Sequence, residues 1–310
     1  MAWRISRRVV VLTAALGSVV ISFLVWLLIA QPAPEPMPNP NGYDELVKAG
    51  QELQQINLTN SAFSEWQHAL NPAVPRTGMT PPTASQMRAA VTAVEPALRL
   101  ARHGMGEECR VPNYSLKDYP AHFSDHTGIK FLADAFQLEG QEAEHVGRYS
   151  DAARSYLDIV RLAQESARGG AFMEGTDERI IEMKGLARLQ ILTLRLDGRT
   201  CRETAAALQA IEARREPADS FARREHNLQR SGGIKALISR LLNYRTLKKN
   251  ETTFRALWQG ADASTQLAII QLATRAYKLD HAGAQPPTLG SLVPQYLKTV
   301  PVFPYAETNQ

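Results

Sequence analysis

His122 and His126 stand four residues apart, with Asp125 between them. On a helix this spacing puts both imidazoles on one face, an arrangement that suits zinc. The glutamate of an HExxH motif is absent, and no third ligand follows from the spacing. Surface or capping roles are expected for both histidines. The reading adopted is therefore no cofactor and no bound metal, with His122 and His126 as the candidate ligands. Two sets of carboxylates have spacing for general acid–base work: Glu139 and Glu142 with His145, and the row Glu174, Glu178, Glu182. Acids at helical spacing more often line a solvated face, and no catalytic residue is assigned. Nucleophile-elbow, phosphate-loop and dinucleotide-binding glycine patterns are absent. Ser231-Gly232-Gly233 reads as a break between two helices.

Cys109 and Cys201 are the two cysteines of the chain. Outside the cytoplasm they can form a disulfide. It would tie a long irregular stretch to a helix start and close a loop of about 90 residues. In the chain-entropy model that stabilises by up to ~4–5 kcal/mol. Two unrelated thiols are the alternative.

The compartment rests on the N-terminus. Val9 to Ala30 are 22 residues without a charge. As a helix they would reach ~33 Å, against a hydrocarbon core of about 30 Å. Arg4, Arg7 and Arg8 precede the segment, and no Lys or Arg follows before Lys48. This asymmetry predicts a basic cytoplasmic flank at 1–8 and a transmembrane helix at 9–30, with the remainder outside the inner (cytoplasmic) membrane. A cleaved signal peptide is the alternative, but its apolar region usually runs only about 7–15 residues. Residues 31–42, "QPAPEPMPNPNG", form a Pro-rich linker that favours extended polyproline II and spaces the folded part from the bilayer.

Residues 43–310 are expected to form an extracytoplasmic all-α domain. The chain is 44% hydrophobic and 21% charged, which suits a globular fold. Its net charge is +4, of which residues 41–310 carry +2. Basic pairs such as Arg214-Arg215, Arg223-Arg224 and Lys248-Lys249 sit among acids at helical spacing, so they read as solvated helix faces, and no nucleic-acid partner is inferred. The capping box Thr83–Gln86 starts a helix running to about His103, which Pro96 should kink or restart. A second box is expected at Thr200–Glu203. An irregular stretch, 104–121, is long for a compact helical domain, and such loops are functional or pinned down. Helices are expected near 123–146, 149–168, 172–196, 201–215, 217–230, 232–243, 251–260, 264–281 and 288–297, the last a short docked C-terminal helix. A brief strand near 300–303 is a further candidate.

The clearest local signal is "AFQLEGQEAEHVGRYSDAARSYLDIVRLA", Ala135 to Ala163. Gly140 permits a close helix approach and Gly147 marks the turn. Ala152, Tyr156 and Val160 share one face. The block resembles a single tetratricopeptide-type hairpin, with Phe136, Gly140, Gly147, Tyr149, Ala152 and Tyr156 at the matching core positions. One repeat does not make a solenoid, so a stack of helical hairpins is expected.

Two wider resemblances follow from quoted segments. "YKLDHAGAQPPTLGSLVPQYL", Tyr277 to Leu297, is similar to the region after the long helix in type II secretion pseudopilins. The Gly-Phe that ends a pseudopilin leader, the early glutamate of the apolar run after it and the Asp-Pro near a calcium site are missing, so neither processing nor calcium binding is carried over. "NGYDELVKAG", "CRVPNY", the "EG…GRYSDAARSYLDIVRLA" block and the C-terminal segment, in that order, resemble a large family of uncharacterised bacterial membrane-anchored helical proteins. This resemblance implies architecture and names no reaction. The expected function is a non-enzymatic one: a protein anchored in the bilayer through its N-terminal helix that binds other envelope proteins or aids an envelope assembly. Alternatives are an envelope hydrolase acting on cell-wall polymer near residues 104–126, and an accessory subunit of a secretion or pilus-like machine.

Overall fold

A computed structural model describes residues 17–19, 22, 36–60, 63–66, 83–114, 118–230 and 244–302. Within them the chain is helical, and no strand occurs among the described residues. Eight helices follow in order: α1 Gly42–Thr59, α2 Ala84–Gly104, α3 Tyr119–His145, α4 Tyr149–Ala167, α5 Phe172–Leu192, α6 Gly198–Glu212, α7 Ala218–Arg230 and α8 Tyr244–Asp280. Single 3-10 turns occupy Thr193–Arg195 and Leu289–Leu292. Among the described residues no helix is long and apolar enough to cross a membrane. The expected transmembrane segment 9–30 lies outside the described residues except for 17–19 and 22, as do residues 31–35 of the linker 31–42 and the whole break at 231–233.

The helices stack in chain order. α1 lies on α2 and α3, α4 lies between α3 and α5, and α8 covers α5 and α6. Where α1 crosses α3, Gly50 faces Gly128, and a Cβ on Gly50 would sit 2.7 Å from the Gly128 carbonyl carbon. This backbone-to-backbone approach seats the N-terminal half of α3 against α1. α3 and α4 form a hairpin through Gly147, whose φ of +77° suits a residue without a side chain. Inside the hairpin, a Cβ on Gly140 would fall 2.3 Å from Cε1 of Tyr156. Phe136, Ala152 and Tyr156 are buried, while Tyr149 is half-buried. The Tyr156 hydroxyl donates to Glu144 and receives Arg188 Nη2 at 3.2 Å.

Several boundaries differ from expectation. α2 runs through Pro96 as one helix, with the Thr83 side chain and Gln86 closing the capping box. α6 begins three residues early, because Asp197 accepts from Thr200 N–H and takes the cap expected at Thr200. The segments expected as 251–260 and 264–281 are one helix, α8, continuous through Gly260. The expected C-terminal helix shrinks to a 3-10 turn capped by Thr288. It still docks: Leu292, Tyr296 and Leu297 are buried, Tyr296 donates to Asp280 at 3.0 Å, and Gln209 of α6 bonds both Thr299 and Lys298. Leu279 and Leu289 are exposed. Residues 300–302 are not a strand.

Candidate functional site

The long irregular stretch is tied down over residues 105–114. Asn41, the cap of α1, receives Arg110 N–H at 2.9 Å and donates to the Arg110 carbonyl at 2.9 Å. Gly42 N–H donates to Glu108, Val111 N–H to the Arg168 carbonyl at the end of α4, and Arg161 to the Met105 carbonyl. These bonds carry the chain to Tyr114, whose ring stacks on His122 at 3.9 Å between centroids.

α3 supplies His122 and His126 one turn apart, and both are buried, which removes the surface or capping role expected for them. The partner that spacing could not show is Glu174, 52 residues beyond His122 in the first turn of α5. Its two oxygens divide their work. Oε2 accepts from Ala171 N–H at 2.6 Å and so caps α5. Oε1 faces the cluster: His122 Nε2 lies at 2.7 Å, the Tyr114 hydroxyl donates at 2.9 Å, and His126 Nε2 stands 3.8 Å away. On the other side of His126, Nδ1 is 3.3 Å from Asp177 Oδ2, which Lys130 also holds at 2.8 Å. The two imidazoles meet edge to face at 5.4 Å.

The charges in this cluster are strongly biased. Burial alone would raise the Glu174 carboxyl, but the hydrogen bond from His122 and the field of His126 outweigh it and hold the group below the usual carboxylate range. Asp177 is lowered in the same sense: burial opposes ionisation, while His126 and Lys130 favour it. Tyr43 of α1 is buried beside them, its phenol raised by burial and then by Glu174 and Asp125, and its hydroxyl has no hydrogen-bond partner. His122, His126 and Glu174 are the residues able to hold a metal, with one donor atom from each lying within 4.8 Å of the others.

The remaining acids are accounted for by ion pairs. Expected on a solvated face, Glu178 and Glu182 are buried, because α8 packs on α5 and Arg215, just beyond the end of α6, reaches in to both acids. Arg215 reaches Glu178 and Glu182 at 2.5 Å each and Glu212 at 3.0 Å. Arg179, fully buried, binds Glu182 at 2.7 Å and Asp262, with its guanidinium 3.8 Å from the centre of the Trp258 ring. Glu139 and Glu142 lie in a groove of about 930 Å³ between α2, α3, α4 and α6. There Arg102 pairs with Glu139 and Asp158, and Arg148 with Glu142, while His145 is exposed.

Cys109 and Cys201 are both free and buried. The expected bridge is not formed. Cys109 sits under the start of α1, donating to the Gly104 carbonyl, while Cys201 is embedded in α6. Burial pushes their thiols up, to about 12 and about 11 respectively.

Comparison of the chain with protein-family models, with curated proteins and with solved structures returns no match.

Proposed function

We propose that the protein is a single-pass, membrane-anchored extracytoplasmic scaffold that works by binding another envelope protein. The anchor is the uncharged run 9–30 behind its three arginines, and the binding part is the helical stack, which resembles tetratricopeptide hairpins at α3–α4. One observation carries the binding role. Between the end of α5 and the C-terminal third of α8 lies a groove of about 660 Å³, lined by Ala187, Ile191, Leu194, Ile270 and Thr274 among others. Ile191 and Leu194 are 62% and 74% exposed, so two large aliphatic side chains face water side by side at its edge. Gln190, Gln271, Arg275 and Lys278 give it a polar margin. Contiguous apolar surface with a polar rim is the anatomy of a protein-binding site.

The test compares crosslinked complexes from native membranes carrying the normal chain or the Ile191→Glu, Leu194→Glu variant, with mass spectrometry of the captured proteins. The reading expects a defined partner to disappear from the variant. An unchanged partner set, with the variant folded and inserted, overturns it. Pseudopilins among the lost partners would point to the secretion-machine role. A reporter fused to the C-terminus tests the topology: activity confined to the cytoplasm would refute the anchor. A second reading, an envelope hydrolase, is favoured by the convergence of His122, His126, Glu174 and Asp177 beneath the 105–114 segment. Release of soluble fragments from purified cell-wall polymer, lost in His126→Ala, is its test.

A further inference from the structure

His126 is 1% exposed, and neither of its ring nitrogens makes a hydrogen bond. Acceptors are near: Asp177 Oδ2 at 3.3 Å from Nδ1 and Glu174 Oε1 at 3.8 Å from Nε2. Buried polar groups are normally satisfied, and one that is not calls for an explanation. A bound ion supplies it. We propose that His122, His126 and Glu174 bind a divalent transition metal, with zinc the best fit to the donor set.

The distances support this. Zinc bonds to nitrogen and oxygen run about 2.0–2.2 Å, so neighbouring donors of a tetrahedral site lie roughly 3.3–3.6 Å apart. His126 Nε2 and Glu174 Oε1, at 3.8 Å, are too far apart for a hydrogen bond and need to close by only a few tenths of an ångström, about 0.2–0.5 Å, to hold an ion between them. His122 Nε2 and Glu174 Oε1, at 2.7 Å, would part by under about 1 Å as the His122 proton leaves and the metal takes its place. Capping of α5 is untouched, because it uses the other oxygen of Glu174.

The surroundings match as well. A metal-bound imidazole is usually oriented by a carboxylate on its far nitrogen. Asp177 stands at that place behind His126 and is itself held by Lys130. Two imidazoles and one carboxylate favour zinc or its transition-metal neighbours, whereas calcium and magnesium prefer oxygen alone. Three protein ligands leave a fourth position for water or the Tyr114 hydroxyl, which is 2.9 Å from Glu174 Oε1.

The experiment uses the full chain in detergent, stripped with chelator and titrated with Zn²⁺, Co²⁺ and Ca²⁺. The proposal expects one Zn²⁺ per chain by elemental mass spectrometry and a raised melting temperature. It also expects a visible tetrahedral Co²⁺ spectrum that Zn²⁺ displaces, and no response to Ca²⁺. His126→Ala should abolish binding. Asp177→Asn, which keeps every ligand, should weaken it about 10–100-fold. Circular dichroism establishes that each variant is folded. If His126→Ala does not fold, the Asp177→Asn affinity decides. The proposal is overturned if the stripped normal chain takes up no Zn²⁺ or Co²⁺, or if folded His126→Ala retains full stoichiometry. Unchanged affinity in Asp177→Asn would also overturn it.

Discussion

Replacing Arg215 by Met tests how the buried side of α5 is held. Arg215 is almost fully buried and closes three ion pairs, to Glu178, Glu182 and Glu212. Glu178 and Glu182 are themselves buried, so the substitution leaves Glu178 without its ion-pair partner and Glu182 with Arg179 as its remaining cation. Removing one member of a buried pair costs about 3–5 kcal/mol, chiefly because the other charge stays behind. Against a total stability of roughly 5–15 kcal/mol, that is a large fraction. The cluster already has more acids than arginines: Arg179 and Arg215 face Glu178, Glu182, Glu212 and Asp262. Burial, only partly offset by Arg215 and Arg179 and reinforced by Glu182, pushes the Glu178 carboxyl up to about 8. The folded state then binds a proton that the unfolded chain releases near its ordinary value of 4.5. Stability from this group is therefore fully present below about pH 4.5 and is lost as pH rises through about 8. Urea unfolding of the full chain in detergent, followed by circular dichroism at several pH values, reads both effects. The normal chain should lose stability as pH rises from 5 to 8, up to about 1.4 kcal/mol per pH unit. Arg215→Met should be weaker by about 3–5 kcal/mol at pH 8, and adding Glu178→Gln should restore part of the loss, since the two sites are coupled. A loss below about 1 kcal/mol in Arg215→Met, or stability rising between pH 5 and 8, would refute the account of this cluster.

Three other perturbations address the stack itself. Tyr156→Ala empties a fully buried aromatic site and should cost about 3–5 kcal/mol in the same unfolding measurement; under 1 kcal/mol would mean that the α3–α4 hairpin is not held by this ring. Gly50→Ala places a methyl 2.7 Å from the Gly128 backbone, which cannot rotate away, so a loss of about 1–3 kcal/mol is expected despite the better helix propensity of alanine; equal or higher stability would show that α1 and α3 do not meet there. Cys109 and Cys201, buried with raised thiols, should label with a thiol reagent only after unfolding, and reductant should leave the melting temperature unchanged. Rapid labelling of the native chain, or a melting temperature lowered by reductant, would contradict the free, buried state.

Much of the local structure is legible in the chain. Thr83 and Gln86 announce the start of α2, and Gly147 the turn of the α3–α4 hairpin, because caps and turns are made by residues within a few positions of one another. Tyr156 reads as core from its stripe with Ala152 and Val160. Two misreadings are also local. Thr200 has capping-box spacing, yet Asp197 lies three residues earlier and takes the amide first. The stretches 251–260 and 264–281 read as two helices, but an isolated glycine such as Gly260 only weakens a helix that tertiary contacts hold, and α8 runs on.

The site depends on contacts that periodicity cannot report. Helical spacing says which side chains share a face, not what lies against that face. It placed His122 and His126 together, and they do meet; the row Glu174, Glu178, Glu182 is divided, with Glu174 facing α3 and the other two facing Arg215. Whether each row met water or protein was decided by packing. α5 is covered by α4 on one side and α8 on another, so its acids are buried: Glu174 against the α3 histidines, Glu178 and Glu182 against Arg215. Most helices and turns follow from local sequence, since backbone hydrogen bonds and caps span only a few residues. Only the tertiary structure decided that Glu174 joins histidines some 50 residues away, because burying apolar stripes on neighbouring helices also fixes what their polar residues must face.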